Sequence, residues 1–287
     1  MKERKFKDAT AFRASLEERL KTASRKKGMD LQRLRRQVAF DRLLARLFSG
    51  KNAPWYLKGG YAMELRIHGA RTTRDVDLGR SLEPGEKTNR PRLLEEIQSF
   101  ASLDLGDFFD FQIGAPTLEL EGTYGGSRFP VEAKVDGRSF VKFHMDVGLG
   151  DALTDSLEDL KAVDWLGFAG IPVPVFPTIS REQHFAEKVH AYTKTRKDRE
   201  NTRVRDLVDM VLLMDDYSLD KKKVRKALEK TFGHRKSHSL PTKLQPPPAS
   251  WEKPFAEMAA ECGLGLTALE AFAKLEKYFE GLHKGEG

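Results

Sequence analysis

The chain has 287 residues, 39% of them hydrophobic and 32% charged, with a net charge of +7, which fits a folded globular protein and excludes a disordered or fibrous one. No apolar run approaches the roughly 18 residues of a membrane span, and the single cysteine, Cys262, excludes an internal disulfide or a multi-cysteine zinc site. The basic start "MKERKFKDATAF" has no apolar stretch behind it, so no signal peptide is expected and a cytoplasmic setting without membrane attachment is.

In chain order, Thr10 is expected to cap a helix reaching about Lys27, with Phe12, Leu16 and Leu20 on one face and Gly28 as its stop. Asp30 caps a second helix carrying Leu31, Leu34, Val38, Leu44, Leu47 and Phe48. "PWYLKGG" reads as a short strand ending at a glycine pair, "YAMELRIHG" as a short helix and "TRDVDLG" as the next strand. Residues 90–103 form an amphipathic helix, followed by strand-like runs "FFDFQIG", "PTLELEG", "FPVEAKV" and "SFVKFHMDVG" with glycine and Asp-Gly turns between them. From about Arg181 the period is helical, and a proline-rich linker, "LPTKLQPPPASW", precedes a last helix, "LTALEAFAKLEKYFEGL". The pattern predicts an α+β protein. A basic helical arm (1–50) leads into a mixed-sheet core with flanking helices (51–165), and a helical C-terminal domain (166–287) follows.

Charge follows the same division. Residues 1–50 hold 15 Lys and Arg against 6 Asp and Glu, residues 101–170 hold 5 against 13, and residues 181–236 hold 16 against 10. Basic flanks around an acidic middle suit a protein that grips a polyanion while keeping cations at its centre; solvated helix faces are the plainer explanation.

The chemistry gathers in a few places. Alternation along a strand puts Asp75 and Asp77 on one face and Val76 and Leu78 on the other. Paired like charges cost stability unless something compensates. In "FVKFHMDVG" the same alternation sets Lys142, His144 and Asp146 opposite Val141, Phe143, Met145 and Val147. If the two strands are neighbours, three carboxylates converge. With no arginine expected beside them, they make a hard-cation site for Mg²⁺, which keeps waters and shares its remaining positions with substrate phosphates. Gly59 and Gly60, between a strand and a helix, let backbone N–H groups approach a phosphate closely.

Further along, Lys188 sits on a helix with Phe185, Val189 and Tyr192. Its ammonium either projects toward a triphosphate or is an ordinary exposed lysine. Asp206 and Asp209 share a helical face and either serve the site or pair with Arg203 or Arg205. His144 and His190 read as structural or as neighbours that support the ligands, not as ligands themselves, while Tyr61 and Tyr192 either stack on a base or pack.

The stretches "LKGGYAMEL", "RTTRDVDL" and "FHMDVGLGD" resemble the nucleotidyltransferase superfold typified by DNA polymerase β. "EKVHAY" and "NTRVRDLVDMVLL" narrow the resemblance to the AbiEii/AbiGii toxin family of type IV toxin–antitoxin systems, over roughly residues 30–220. The resemblance implies a polymerase β-like nucleotidyltransferase core. Gly59 and Gly60 become the phosphate-cradling turn, Thr73 a hydroxyl ahead of the first acid, and Asp75 and Asp77 the metal ligands. Asp146 is the third carboxylate, Lys188 the nucleotide-contacting lysine, and Asp209, or Asp206 beside it, the C-terminal acid. It implies a Mg²⁺-dependent enzyme, with two ions, that transfers NMP from an NTP to RNA. It further implies the 3′ end of tRNA as acceptor, growth arrest as outcome and a cognate antitoxin encoded nearby. The rivals are a nucleotidyltransferase acting on a small-molecule or protein hydroxyl, and a non-enzymatic nucleic-acid binder.

Overall fold

A computed structural model describes residues 6–50, 53–82, 86, 89–120, 125–194 and 200–283. The chain divides into two compact units. The first comprises Met1–Leu65, Thr72–Gly150 and Asp159–Thr178, and the second Arg66–Arg71, Asp151–Glu158 and Ile179–Gly287. The chain therefore returns to the first unit well after residue 165. Among the described residues, no helix is long and apolar enough to cross a membrane.

The first unit opens with helices α1 (Ala9–Lys27) and α2 (Leu31–Leu47). The cap of α1 is Asp8, whose carboxylate accepts from the Ala11 N–H at 2.7 Å. The expected cap, Thr10, lies inside the helix and donates to Asp136 Oδ1 at 3.0 Å. A carboxylate at a helix N-terminus gains from both the free N–H groups and the helix dipole, so the aspartate prevails. Asp30 caps α2 as read, and Gly28 ends α1 at a φ of 64°.

Among the described residues, one sheet of eight strands follows. The strands are β1 (Trp55–Lys58), β2 (Asp75–Arg80), β3 (Phe109–Ile113), β4 (Leu118–Glu119), β5 (Gly126–Val135), β6 (Arg138–Leu149), β7 (Glu158–Lys161) and β8 (Val175–Thr178). Their order is β3-β5-β6-β2-β1-β8-β7, with β4 on β5. Helix α3 (Gly59–Arg66) follows β1, and α4 (Arg90–Ala101) precedes β3. The two sequence strands that carry the acids are neighbours: β2 runs parallel to β6 and antiparallel to β1. Their apolar faces form the core, with Val76, Leu78, Met145 and Val147 all at 0% exposure. Phe40 of α2 closes on Phe143 of β6, ring centroids 4.8 Å apart. Strands β7 and β8 were not expected. Each is four residues long, and β8 contains Pro177, so neither run is long enough to be read as a strand from its sequence.

Part of the N-terminal basic charge is not on the surface. Arg42 and Arg46 are buried and converge on Asp107, with Arg46 making bonds of 2.8 and 2.7 Å to its two carboxylate oxygens and Arg42 one of 2.6 Å. Burial alone would raise the Asp107 carboxyl; the two guanidinium groups overcome that and hold it below the usual range.

The second unit is helical: α5 (Arg181–Thr193), α6 (Val204–Asp216), α7 (Lys221–Arg235), α8 (Glu252–Glu261) and α9 (Ala268–His283). Phe185, Val189, Leu207, Val211, Phe255 and Leu275 are fully buried. Helix α8 occupies the stretch between the proline-rich linker and the last helix, for which no element was expected. Its Pro254 stands in the first turn, where a missing N–H costs no intrahelical bond.

Candidate active site

In the first unit the pleat brings a row of charged residues onto one side of the sheet. Lys58 of β1 pairs in register with Asp77 of β2, Asp77 with Asp146 of β6, and Asp146 with Arg128 of β5. Asp75, two residues away on the same face as Asp77, is in register with His144. The three carboxylates thus lie on one face of two neighbouring strands.

The glycine turn abuts this row. Gly59 has a φ of 67°, and a Cβ there would overlap the Asp77 carboxylate. The Gly60 N–H donates to Asp77 Oδ2 at 3.3 Å. The turn therefore needs glycine at 59 both for its backbone conformation and for the closeness of the acid.

One expectation fails. An arginine does approach the acids: Arg128 donates Nε to Asp146 Oδ1 and Nη2 to Asp146 Oδ2, both at 2.7 Å, and its Nη2 lies 3.6 Å from Asp75 Oδ2. The hydrogen bonds to Asp146, with the charges of all three acids, raise the Arg128 pKa further. The sequence hid this because the partnership depends on the β5–β6 register. His144 Nδ1 stands 3.6 Å from Asp75 Oδ1 on a half-exposed ring, beside the acids on the polar face of β6.

Among the described residues, no group of three or more His, Cys, Asp or Glu is arranged to hold a metal ion. The donors nonetheless fit Mg²⁺ in a narrower way. Asp75 and Asp77 supply two hard oxygen ligands next to a turn that a side chain would fill, and Mg²⁺ needs only one or two carboxylates when phosphates and water complete its shell. Asp146, with both oxygens on Arg128, stands apart from that pair.

The surroundings fix the turn and the loop before β2. Thr73 is buried; its N–H donates to Glu64 Oε1, and its hydroxyl to the Asp75 carbonyl at 3.3 Å. Glu64 also accepts from Arg33 Nε at 3.1 Å and Gln37 Nε2 at 2.6 Å, so one carboxylate joins α2, α3 and this loop. Glu64 went unnoticed in the sequence because its partners are distant in the chain.

Tyr61 packs instead of offering a stacking face: it is 1% exposed, and its hydroxyl donates to Asp41 Oδ1. Burial pushes the Asp41 carboxyl up to about 8, opposed by the Tyr61 bond and by Arg42. A folded pKa above the unfolded one means that this stabilisation is complete below about pH 4 and is lost as pH rises toward 8. Asp41→Asn keeps a neutral acceptor for Tyr61, so the fall in unfolding free energy between pH 5 and 8, up to ~1.4 kcal/mol per pH unit, is expected to flatten in denaturant titrations. A variant as pH-sensitive as the wild type would contradict this assignment.

The second unit holds the remaining candidates. Lys188 on α5 is not an exposed lysine: its side chain is 12% exposed, with Nζ 3.0 Å from Asp206 Oδ1 and 2.7 Å from Asp209 Oδ2. Asp209 is fully buried and also takes two bonds from Arg71, at 2.9 and 2.8 Å. Arg71, not Arg203 or Arg205, is its arginine partner; Arg203 reaches only Asp206, at 3.8 Å. Burial would lower the Lys188 pKa and raise that of Asp209; each charge reverses the shift for the other, so both stay ionised. His190 and Tyr192 are buried, and the Tyr192 hydroxyl donates to the Gln245 carbonyl at 2.7 Å.

The family model for the nucleotidyltransferase AbiEii toxin of type IV toxin–antitoxin systems matches residues 42–280. The chain belongs to the AbiEii family. As an AbiEii member it is a nucleotidyltransferase toxin, for which a nucleotide substrate and a cognate antitoxin follow. Its fold is similar to that of MenT4, a nucleotidyltransferase toxin from Mycobacterium tuberculosis H37Rv, with a TM-score of 0.53 and 16% identity over 86% of this chain and 90% of that one. JHP933 from Helicobacter pylori matches at 18% identity and a TM-score of 0.44, over 88% of this chain and 97% of that one. At 16% identity the likeness to MenT4 speaks to the fold alone. No curated protein matches the chain.

Proposed function

We propose that this AbiEii toxin transfers an NMP from an NTP to a hydroxyl of an RNA acceptor, releasing pyrophosphate, and that the acceptor is the 3′ end of tRNA. The observation that carries the transfer chemistry is the placement of Asp75 and Asp77 on one face of β2, against the Gly59-Gly60 turn and in register with Asp146. Gathering carboxylates in this way gives a mere nucleic-acid binder nothing, since they repel a phosphate backbone.

Asp75 and Asp77 are the residues that would hold Mg²⁺, which when bound neutralises triphosphate charge and favours ionisation of an attacking hydroxyl. The rest of the work belongs to the chain. The glycine turn brings backbone N–H groups to the phosphates without a side chain in the way. Thr73, tied to Glu64 and to the Asp75 carbonyl, fixes the approach of β2. Lys188 keeps the role of nucleotide-contacting lysine, with Asp206 and Asp209 holding its ammonium in place until it is used. Catalysis on this reading is positioning plus charge stabilisation.

The RNA acceptor rests on the family resemblance and on net charge. In the basic N-terminal arm, Arg33 and Arg35 pair with Glu64 and Glu17, and Arg36 lies 3.9 Å from Asp30. Arg196, Lys197 and Arg199 lie outside the described residues. The test is incubation with each α-labelled NTP, total RNA and Mg²⁺, resolved on a denaturing gel with an EDTA control. Label on RNA of tRNA size is expected. Label on protein or on small molecules alone would favour the rival acceptors.

A further inference from the structure

The charged row across β1, β2, β6 and β5 places a cationic residue at each end and the two acids between: Lys58, Asp77, Asp146, Arg128. Arg128 spends both arms of its guanidinium on Asp146 and leans toward Asp75, yet its side chain is still 31% exposed. Asp146 is 13% exposed. Arg128 is thus a counter-cation open to solvent, fastened to the one carboxylate of the trio that stands apart from the Asp75–Asp77 pair.

A planar fork that fits a carboxylate also fits a phosphate, and a triphosphate offers more negative charge than one aspartate. We propose that Arg128 is an exchangeable phosphate-binding residue. Without nucleotide it keeps Asp146 from joining the cation site, and when a triphosphate arrives it moves from Asp146 to the phosphate oxygens and frees that carboxylate. This rests on the nucleotidyltransferase reading of Asp75 and Asp77 and adds to it a coupling between cation and triphosphate sites, carried by one side chain. No covalent bond changes; one set of charge-assisted hydrogen bonds is traded for another.

The coupling gives two effects of opposite sign. Arg128→Gln should bind Mn²⁺ about tenfold more tightly than the wild type without nucleotide, because a repelling charge is gone and Asp146 is free. It should bind inorganic tripolyphosphate in EDTA about tenfold more weakly, because the fork is lost. Mn²⁺ is titrated by electron paramagnetic resonance and tripolyphosphate by calorimetry, on protein whose circular dichroism matches the wild type. Adding Asp146→Asn to Arg128→Gln should return Mn²⁺ affinity toward the wild-type value. Should Arg128→Gln not fold, Arg128→Lys keeps the charge without the fork, and a smaller shift in the same two directions is expected. Unchanged affinities for both probes, or a change in tripolyphosphate alone, would overturn the exchange. Asp75→Asn separates the two levels: if it binds Mn²⁺ as the wild type does, the cation site itself is misassigned, whatever Arg128 does.

Discussion

Asp77→Ala is expected to lose NMP transfer by on the order of 10³-fold or more, as when a group that positions and neutralises reacting phosphates is removed. The carboxylate sits against Gly59, receives the Gly60 N–H and lies between Lys58 and Asp146 in the register of three strands. The fold should survive, because Val76 and Leu78, which carry the packing of β2, are untouched and one of three neighbouring negative charges is removed. Asp77→Asn refines the result: it keeps the shape and an acceptor for Gly60 but not the charge, and should be nearly as inactive. Single-turnover transfer measured beside a thermal melt is the check, and near-wild-type transfer in either variant would remove Asp77 from the site.

The second large effect is on stability. Asp209→Ala should destabilise the chain by about 3–5 kcal/mol, since removing one partner of a buried ion cluster strands the others. Here two cations, Lys188 and Arg71, lose a buried carboxylate, and Lys188 keeps Asp206. Lys188→Met should cost less, because Asp209 retains both Arg71 bonds, yet it should still lower transfer by on the order of 10²-fold if the ammonium serves the triphosphate. Lys188→Arg should rescue poorly, because a fork does not replace a compact ammonium in a space bounded by two carboxylates.

The pH dependence has a fixed sign. Asp209 is held below its unfolded pKa, so its stabilisation is complete above about pH 4 and is lost as pH falls through the folded value. Denaturant titrations from pH 7 to 3 should show a loss of stability that Asp209→Asn lacks. Equal acid sensitivity in the variant would mean that other carboxylates dominate.

What could be read without the structure was whatever is written in local period or spacing. Alternation along Asp75–Leu78 and Val141–Val147 put the acids on one face and the apolar residues on the other, and burial follows that pattern. The glycine pair announced a turn that tolerates no side chain. What stayed hidden depends on pairings between distant segments. Arg71 and Asp209 are 138 residues apart, and Arg42 and Asp107 are 65 apart. Arg128 meets Asp146 only because of the β5–β6 register, across a hairpin whose register shifts near Ala133. Short elements were lost for another reason: four residues with a proline, as in β8, carry too little pattern to separate a strand from a loop.

The central claim is nucleotidyl transfer at the β2 carboxylates, and it is tested most directly by comparing α-labelled with γ-labelled NTP. Wild-type protein, Mg²⁺ and total RNA should yield labelled acceptor from the α-label only, with one pyrophosphate released per NMP attached, and Asp75→Asn should yield neither. Acceptor labelled from the γ-position, or equal α-labelling by Asp75→Asn, would contradict it.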